Sequence, residues 1–269
     1  MSKLRNLAKL INESTKERTP AQKFGELLEE TISRNGQKNR PPSKTYKPSS
    51  IGGCMRKSYF QLVGAPLDEQ QKPDAGLVGI WESGSDRHER IQHHIQTMKD
   101  HGFDVEWVDV EEFIKRRPVE GTKFVSKIGN EYKLYNSVLN ISFMCDGIIK
   151  FEGRYYILEI KTEDQYKHKG RLGPTKKHID QAASYSICLG IDQIMFIYEW
   201  REYTSKQYFD YMITDKEKEE VVHYIETCEA HREAEVVPKM TTKKAECKYC
   251  PFQEYCAQIG ETEGLVDEQ

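Results

Sequence analysis

Four cysteines divided between the two ends of the chain limit what it can fold into more than any other feature. Cys54 lies near the start, and Cys247, Cys250 and Cys256 lie near the end. Thiolates at Cys-x2-Cys spacing reach one metal centre from a tight turn, whereas a remote fourth ligand is useful only in a fold that brings the chain ends together. The cysteines therefore predict a topology as well as a chemistry. A Cys-x2-Cys-x5-Cys end with a distant partner satisfies tetrahedral Zn²⁺ as well as a cubane cluster, so the spacing leaves both open. The chain has seven cysteines, an odd number, and Met1 to Ile11 alternates basic and apolar residues without the apolar run of a signal peptide. Both features favour metal binding or buried thiols in a reducing cytosol over a disulfide framework. Cys145, Cys188 and Cys228 fall inside expected regular elements and read as small buried apolar residues.

At 269 residues and 37% hydrophobic content, the chain can bury the core of one large domain or two small ones. No segment approaches the roughly 20 apolar residues that span a bilayer, so no membrane partner is expected. The net charge of −3 hides an asymmetry. Up to Lys57, thirteen Lys and Arg residues face five Glu, while Glu261, Glu263, Asp267 and Glu268 form an acidic tail that reads as solvated. The expected division is a basic helical arm and linker over 1–50, a main domain over 51–258 and the tail over 259–269.

Thr19-Pro20 supplies an N-cap and a first-turn proline, and Phe24, Leu27, Leu28 and Ile32 follow at helical spacing until Asn35-Gly36. Gln37 to Ser50, with Pro41-Pro42, Pro48 and several Lys and Arg residues, reads as an extended basic linker. Helices are predicted around Cys54 to Leu62 and from near Trp81 through Met98. On the second of these, Ile91, Ile95 and Met98 mark the buried face with His88 one turn earlier. Ile141 to Ile149 reads as one strand, Glu152-Gly153 as a turn and Tyr155 to Lys161 as its partner strand. A helix from His178 to Leu189 ends at Gly190. Strands at Gln193–Glu199 and Gln207–Ile213 precede a last long helix from about Asp215 to Glu235.

Chemistry concentrates on the paired strands. Period two puts Glu159 and Lys161 on one face and Tyr156, Leu158 and Ile160 on the other, towards a helix-covered core. An antiparallel partner sets Asp146 beside Glu159. A hard divalent cation takes oxygen ligands, so Asp146 and Glu159 suit Mg²⁺ or Mn²⁺. Lys161 can orient or help deprotonate an attacking water while offsetting developing phosphate charge. This set fits phosphodiester hydrolysis. Arg56, Lys57 and the basic linker would add salt-sensitive affinity for a nucleic-acid backbone without reading sequence. Gln181 and Tyr185 at i, i+4 present a polar pair on one helix face.

Five motifs occur in order: Cys54-Met55-Arg56, Gly84-Ser85-Asp86-Arg87-His88, Asp146…Glu159-Ile160-Lys161, Gln181-Ala182-Ala183-Ser184-Tyr185, and Cys247-x2-Cys250-x5-Cys256. Over roughly Ser50 to Cys256, this set resembles the PD-(D/E)XK nucleases of the RecB type. It is especially similar to the iron–sulfur nucleases associated with CRISPR adaptation and with bacterial or phage recombination. The resemblance implies an α/β fold with a restriction-endonuclease-like core, in which helices flank a central mixed β-sheet. It also implies a 4Fe-4S cluster on Cys54, Cys247, Cys250 and Cys256 that joins the N- and C-terminal ends, with Zn²⁺ as the alternative. His88, Asp146 and Glu159 would ligate the catalytic Mg²⁺ or Mn²⁺ with help from the Ile160 carbonyl, Lys161 would be the catalytic lysine, and Gln181 and Tyr185 would position DNA.

The implied activity is metal-dependent hydrolysis of DNA, as an exonuclease acting on single strands or single-stranded ends in recombination, repair or processing. The implied setting is the cytosol of a bacterium or a phage-infected host. Cys145 stands where the family name has proline. Such families contain inactive members, so a DNA-binding or scaffold subunit is the alternative reading; the joint presence of His88, Asp146, Glu159 and Lys161 argues against it. Residues 1–50 lie outside the resemblance and are expected to dock a recombination partner, a helicase or DNA.

Overall fold

Two β-sheets meet at Asp146, and that junction positions the chemistry. The structure is a computed structural model that describes residues 18–37, 43–68, 72–241 and 244–265. The expectations for residues 1–17, for Pro41-Pro42 and for the end of the acidic tail lie outside the described residues. In chain order the helices and strands are α1 (Pro20–Gly36), α2 (Met55–Val63), α3 (Ala75–Gln96), β1 (Val105–Val108), α4 (Val110–Arg116), β2 (Thr122–Ile128), β3 (Glu131–Asn136), β4 (Ile141–Cys145) and β5 (Gly147–Phe151). They continue as β6 (Arg154–Glu163), α5 (Gln165–Lys169), α6 (Lys176–Leu189), β7 (Gln193–Trp200), β8 (Lys206–Met212), α7 (Asp215–Glu233), α8 (Lys244–Cys247) and α9 (Gln253–Ile259).

The central sheet runs β1-β5-β6-β7-β8. Only β6 and β7 pair in parallel there, so the sheet is mixed, and helices flank it. Strands β2, β3 and β4 make a second, antiparallel sheet. By compactness the described chain divides into two units, one of residues 18–37 with 72–83 and one of 43–68 with 84–265. In the first, Thr19 opens α1 with a capping box: its side chain accepts from Gln22 N, and the Gln22 side chain accepts from Thr19 N.

The strand expected over Ile141–Ile149 is in fact two. β4 pairs with β3, β5 pairs with β1 and β6, and Asp146 is the single residue between them. Gly147 makes this change of sheet possible. Its φ is +154°, and a Cβ there would lie 2.4 Å from the Trp107 ring, so a side chain meets both an unfavourable backbone and an occupied space. Gly147→Ala is expected to cost about 3 kcal/mol in urea unfolding. A loss below about 1 kcal/mol would mean that the junction yields without strain.

Both faces of β6 are covered. Leu158 and Ile160 pack with Ile91, Val105, Ile149 and Ile197 on one side. Ile157, on the other side, joins the larger core that contains Tyr185, Phe196, Tyr198 and Ile225. The linker is also drawn in. Tyr46 and Pro48 are buried while Lys44 and Lys47 stay exposed, an alternation that places the aromatic ring inside and the charges in water. Tyr46 bridges to Ile141, its N–H donates to Asn140 O at 2.8 Å, and its hydroxyl donates to Glu229 Oε1 at 3.0 Å. Residues 43–50 are therefore part of the second unit's core, because one buried tyrosine outweighs the solvation preference of lysines that need not be buried with it.

Candidate active site

Helix α3 and the sheet junction supply one half of the site. Gln92 Nε2 donates to Asp146 O at 2.7 Å. Arg87 Nη1 and Arg90 Nη2 donate to Glu199 Oε1 at 2.8 and 2.6 Å, and Glu199 is fully buried on β7. These bonds fix the rotation of α3, and His88 Nδ1 comes to lie 3.1 Å from Asp146 Oδ1. Asp146 Oδ2 accepts from Ile160 N at 2.7 Å, so the carboxylate is held from the helix and from β6 at once.

Glu131, the first residue of β3, completes a group. Its Oε1 is 4.0 Å from His88 Nδ1, and one ligand atom from each of His88, Glu131 and Asp146 lies within 4.8 Å of the others. Two carboxylates and an imidazole fit a divalent metal. Burial and then the charge of Asp146 hold Glu131 above the usual carboxylate range. Burial alone would lower His88, but the hydrogen bond and charge of Asp146 outweigh it and leave the imidazole raised.

Strand β6 and helix α6 supply the other half. Glu159 is 2% exposed and ion-paired with Lys161. Burial pushes it up to about 7 even against the charge of Lys161, and it also feels Asp146 and His88. Lys161 Nζ donates to Gln181 Oε1 at 3.3 Å, and Gln181 Nε2 donates to the Tyr185 hydroxyl at 2.7 Å. Tyr185 is 4% exposed and packs on Phe143, ring centroids 5.1 Å apart. His178 is pushed down to about 4 by burial and by Lys161, and its Nδ1 lies 2.8 Å from the Tyr198 hydroxyl.

This geometry places each of the expected site residues. Gln181 and Tyr185 are turned away from solvent: α6 packs its polar i, i+4 face inward, where Gln181 reaches Lys161 and Tyr185 reaches Gln181. Arg56 does not face solvent either. It is buried behind the cysteines, and its donors are taken by protein acceptors. Lys57 is half-buried between the cysteine cavity and a neighbouring cavity of about 260 Å³ that Lys176 and Lys177 also line. Of the expected metal ligands, His88 and Asp146 are brought together and Ile160 gives its N–H to Asp146, while Glu159 is engaged by Lys161 and Glu131 stands in the third position. Nothing local marks Glu131 in the sequence. Only the antiparallel sheet of β2, β3 and β4 carries it to the junction.

Cys54, Cys247, Cys250 and Cys256 are free and line one cavity of about 180 Å³. Cys54 precedes α2, Cys247 and Cys250 are joined by a tight turn in which Cys250 N donates to Cys247 O at 3.0 Å, and Cys256 lies on α9. Polar and apolar contacts bring these ends together. The Asp68 carboxylate accepts from Glu254 N at 2.9 Å and Tyr255 N at 3.2 Å, at the start of α9, and Phe60 packs on Phe252 and Tyr255. Burial raises the thiols of Cys54 and Cys250. Four thiols around one space fit a thiolate-bound metal, whose charge would reverse that shift. Cys145, Cys188 and Cys228 are buried. Among the described residues no helix is long and apolar enough to cross a membrane.

No family model matches the chain, and no curated protein matches it. Among solved structures, the crystal structure of SSO0001 is similar with a TM-score of 0.45 and 14% identity, over 87% of this chain and 96% of the other. LHK-Exo in complex with dAMP gives 0.45 and 13% over 71% and 89%. An alkaline exonuclease (LHK-Exo) from Laribacter hongkongensis gives 0.44 and 12% over 72% and 90%. Likeness at this level carries no argument about chemistry, which rests on the residues themselves.

Proposed function

We propose that this protein is a Mg²⁺- or Mn²⁺-dependent deoxyribonuclease, an exonuclease acting on DNA with single-stranded character, in recombination, repair or processing in the cytosol. The observation that carries the reading is the convergence at one sheet junction of His88, Glu131 and Asp146 with the Glu159–Lys161 ion pair. His88, Asp146 and Glu131 would hold the cation, with Glu159 beside them. A bound divalent ion supplies Lewis-acid polarisation of the phosphate and a more acidic water.

The chain's own groups do the rest. Asp146, gripped by Ile160 N, keeps the junction in one geometry. Lys161, held between Glu159 and Gln181, places an ammonium where negative charge grows on phosphorus-bound oxygens and orients the attacking water. Glu159, buried yet ion-paired, fixes that ammonium and can take a proton near neutral pH. The four cysteines would hold a second, structural metal, a 4Fe-4S cluster with Zn²⁺ as the alternative. Of residues 1–50, those before the stretch that Tyr46 anchors would serve as a docking arm for a recombination or helicase partner.

The deciding experiment incubates end-labelled single- and double-stranded DNA with the protein in Mg²⁺, Mn²⁺ or chelator. Cleavage with metal and none with chelator is expected. DNA binding without cleavage under every metal condition would replace the reading with a scaffold subunit.

A linked result concerns pH. Without metal, the folded pKa of Glu159 is raised above its unfolded value, so the folded state holds a proton that the unfolded state has lost between about pH 4.5 and 7, and that contribution to stability disappears as pH rises through 7. A divalent ion favours the charged carboxylate and the neutral imidazole. The rise in melting temperature on adding Mn²⁺ is therefore expected to be larger at pH 8 than at pH 6. Equal rises at both, measured by scanning fluorimetry, would place the ion away from these groups.

A further inference from the structure

Behind the four cysteines sits a buried cation whose acceptors among the described residues include no carboxylate. Arg56 is 1% exposed. Its Nε donates to Pro238 O at 2.6 Å, Nη1 to Gly260 O at 2.7 Å and to Cys256 Sγ at 3.5 Å, and Nη2 to Thr262 Oγ1 at 2.7 Å. Thr262 Oγ1 in turn donates to Val237 O at 2.9 Å, so one guanidinium gathers α2, the segment after α7 and the segment after α9. The oxygen acceptors are all neutral. Guanidinium does not shed its proton, and burying it costs several kcal/mol unless opposite charge is buried with it. Among its partners in the described residues only the sulfur can carry that charge.

We infer that Arg56 is the built-in countercharge of the four-cysteine metal centre, offsetting the negative charge the thiolates retain around the metal and donating to the sulfur of Cys256. Four thiolates around a Zn²⁺ ion or around a doubly positive 4Fe-4S core leave the same net charge, about −2, so the role holds for either occupant. A guanidinium saturated by backbone carbonyls and a hydroxyl is a poor phosphate ligand but a well-oriented partner for a thiolate, because its fork is fixed by the other three bonds. The inference rests on the reading of the cysteines as a metal centre and is independent of DNA cleavage.

The test uses the full chain purified without oxygen. Iron, sulfide and zinc are measured per chain, and then the rate at which bound metal is lost to excess chelator. Arg56→Met removes the charge while keeping apolar bulk, and Arg56→Lys keeps the charge. Metal loss about 10-fold faster or more in Arg56→Met, with Arg56→Lys in between, is the expected result. If the metal is iron, the reduction midpoint of Arg56→Met should also move to lower potential, because the reduced centre carries an extra negative charge that Arg56 offsets. Wild-type release rates in Arg56→Met would overturn the inference.

Thr262→Val keeps the proposal decidable should Arg56→Met not fold. It removes one oxygen acceptor and leaves the guanidinium on Cys256, so wild-type release is expected, whereas faster release would mean that Arg56 is only a strap for the chain end. A wild-type chain holding neither iron nor zinc would overturn the cysteine reading and this inference together, while the cleavage assay would still report separately on the site around Asp146.

Discussion

Lys161→Ala is expected to lower DNA cleavage by about 10³-fold or more in single-turnover assays with Mg²⁺ or Mn²⁺, while DNA binding and the melting temperature change little. The large kinetic effect follows from position. Among the described residues Lys161 is the one ammonium held by both Glu159 and Gln181, and none of the other described lysines shares those two contacts. The small effect on stability follows from Glu159. Burial already pushes that carboxyl up to about 7, and loss of the ammonium raises it further, so the residue takes a proton instead of remaining a buried, unpaired charge. Near-wild-type cleavage by purified Lys161→Ala would remove the catalytic assignment. A collapse of the fold would mean that the ion pair is mainly structural, and Lys161→Met, which keeps the side chain's apolar length, would separate the two roles.

Cys250→Ser should cause the other large change, in metal content and stability together. A hydroxyl is a far poorer ligand than a thiolate for iron or zinc, so the variant is expected to lose nearly all bound metal and, where the metal is iron, its brown colour. It should also lose roughly 4–5 kcal/mol, or about 10 °C in melting temperature, because a link between Cys54 and the three C-terminal cysteines closes a loop that spans most of the chain. The contacts of Asp68 with α9 and of Phe60 with Phe252 and Tyr255 remain in the variant, so the ends should loosen without separating. Metal analysis beside calorimetry checks this. Full metal occupancy in Cys250→Ser would exclude Cys250 as a ligand.

Much of the local structure is legible in the sequence. The Thr19-Pro20 start of α1, the Gly190 end of α6 and the outlines of β6, β7, β8 and α7 follow from caps, turn residues and hydrophobic period, which act over a few residues and so appear in the sequence. The approach of Asp146 to β6 is also foreseeable, because a short turn at Glu152-Gly153 sets the register of β5 on β6 and Asp146 directly precedes β5. The sequence is silent where burial depends on distant partners. Arg56 looks like a surface cation until the segment after α9 folds over it, and Gln181 and Tyr185 look like a polar pair on one helix face until Phe143 covers the ring and Lys161 reaches Gln181. Tyr46 shows the same effect in a stretch whose prolines and lysines suggested a tether.

By itself the sequence determined which residues could do chemistry: four thiols in a spacing that demands joined ends, a carboxylate and lysine two apart on a strand, and a histidine one turn from a buried helical face. Side-chain type, helical and strand period, and turn chemistry are local properties, and those are what a chain carries in its order. Only the tertiary structure decided which candidates meet. It broke one strand at Gly147 so that Asp146 stands between two sheets, brought Glu131 beside His88, turned Gln181 and Tyr185 inward to hold Lys161, and placed Arg56 against Cys256. Those choices depend on the packing of elements far apart in the chain, where a few ångströms of approach separate a solvated charge from a positioned one.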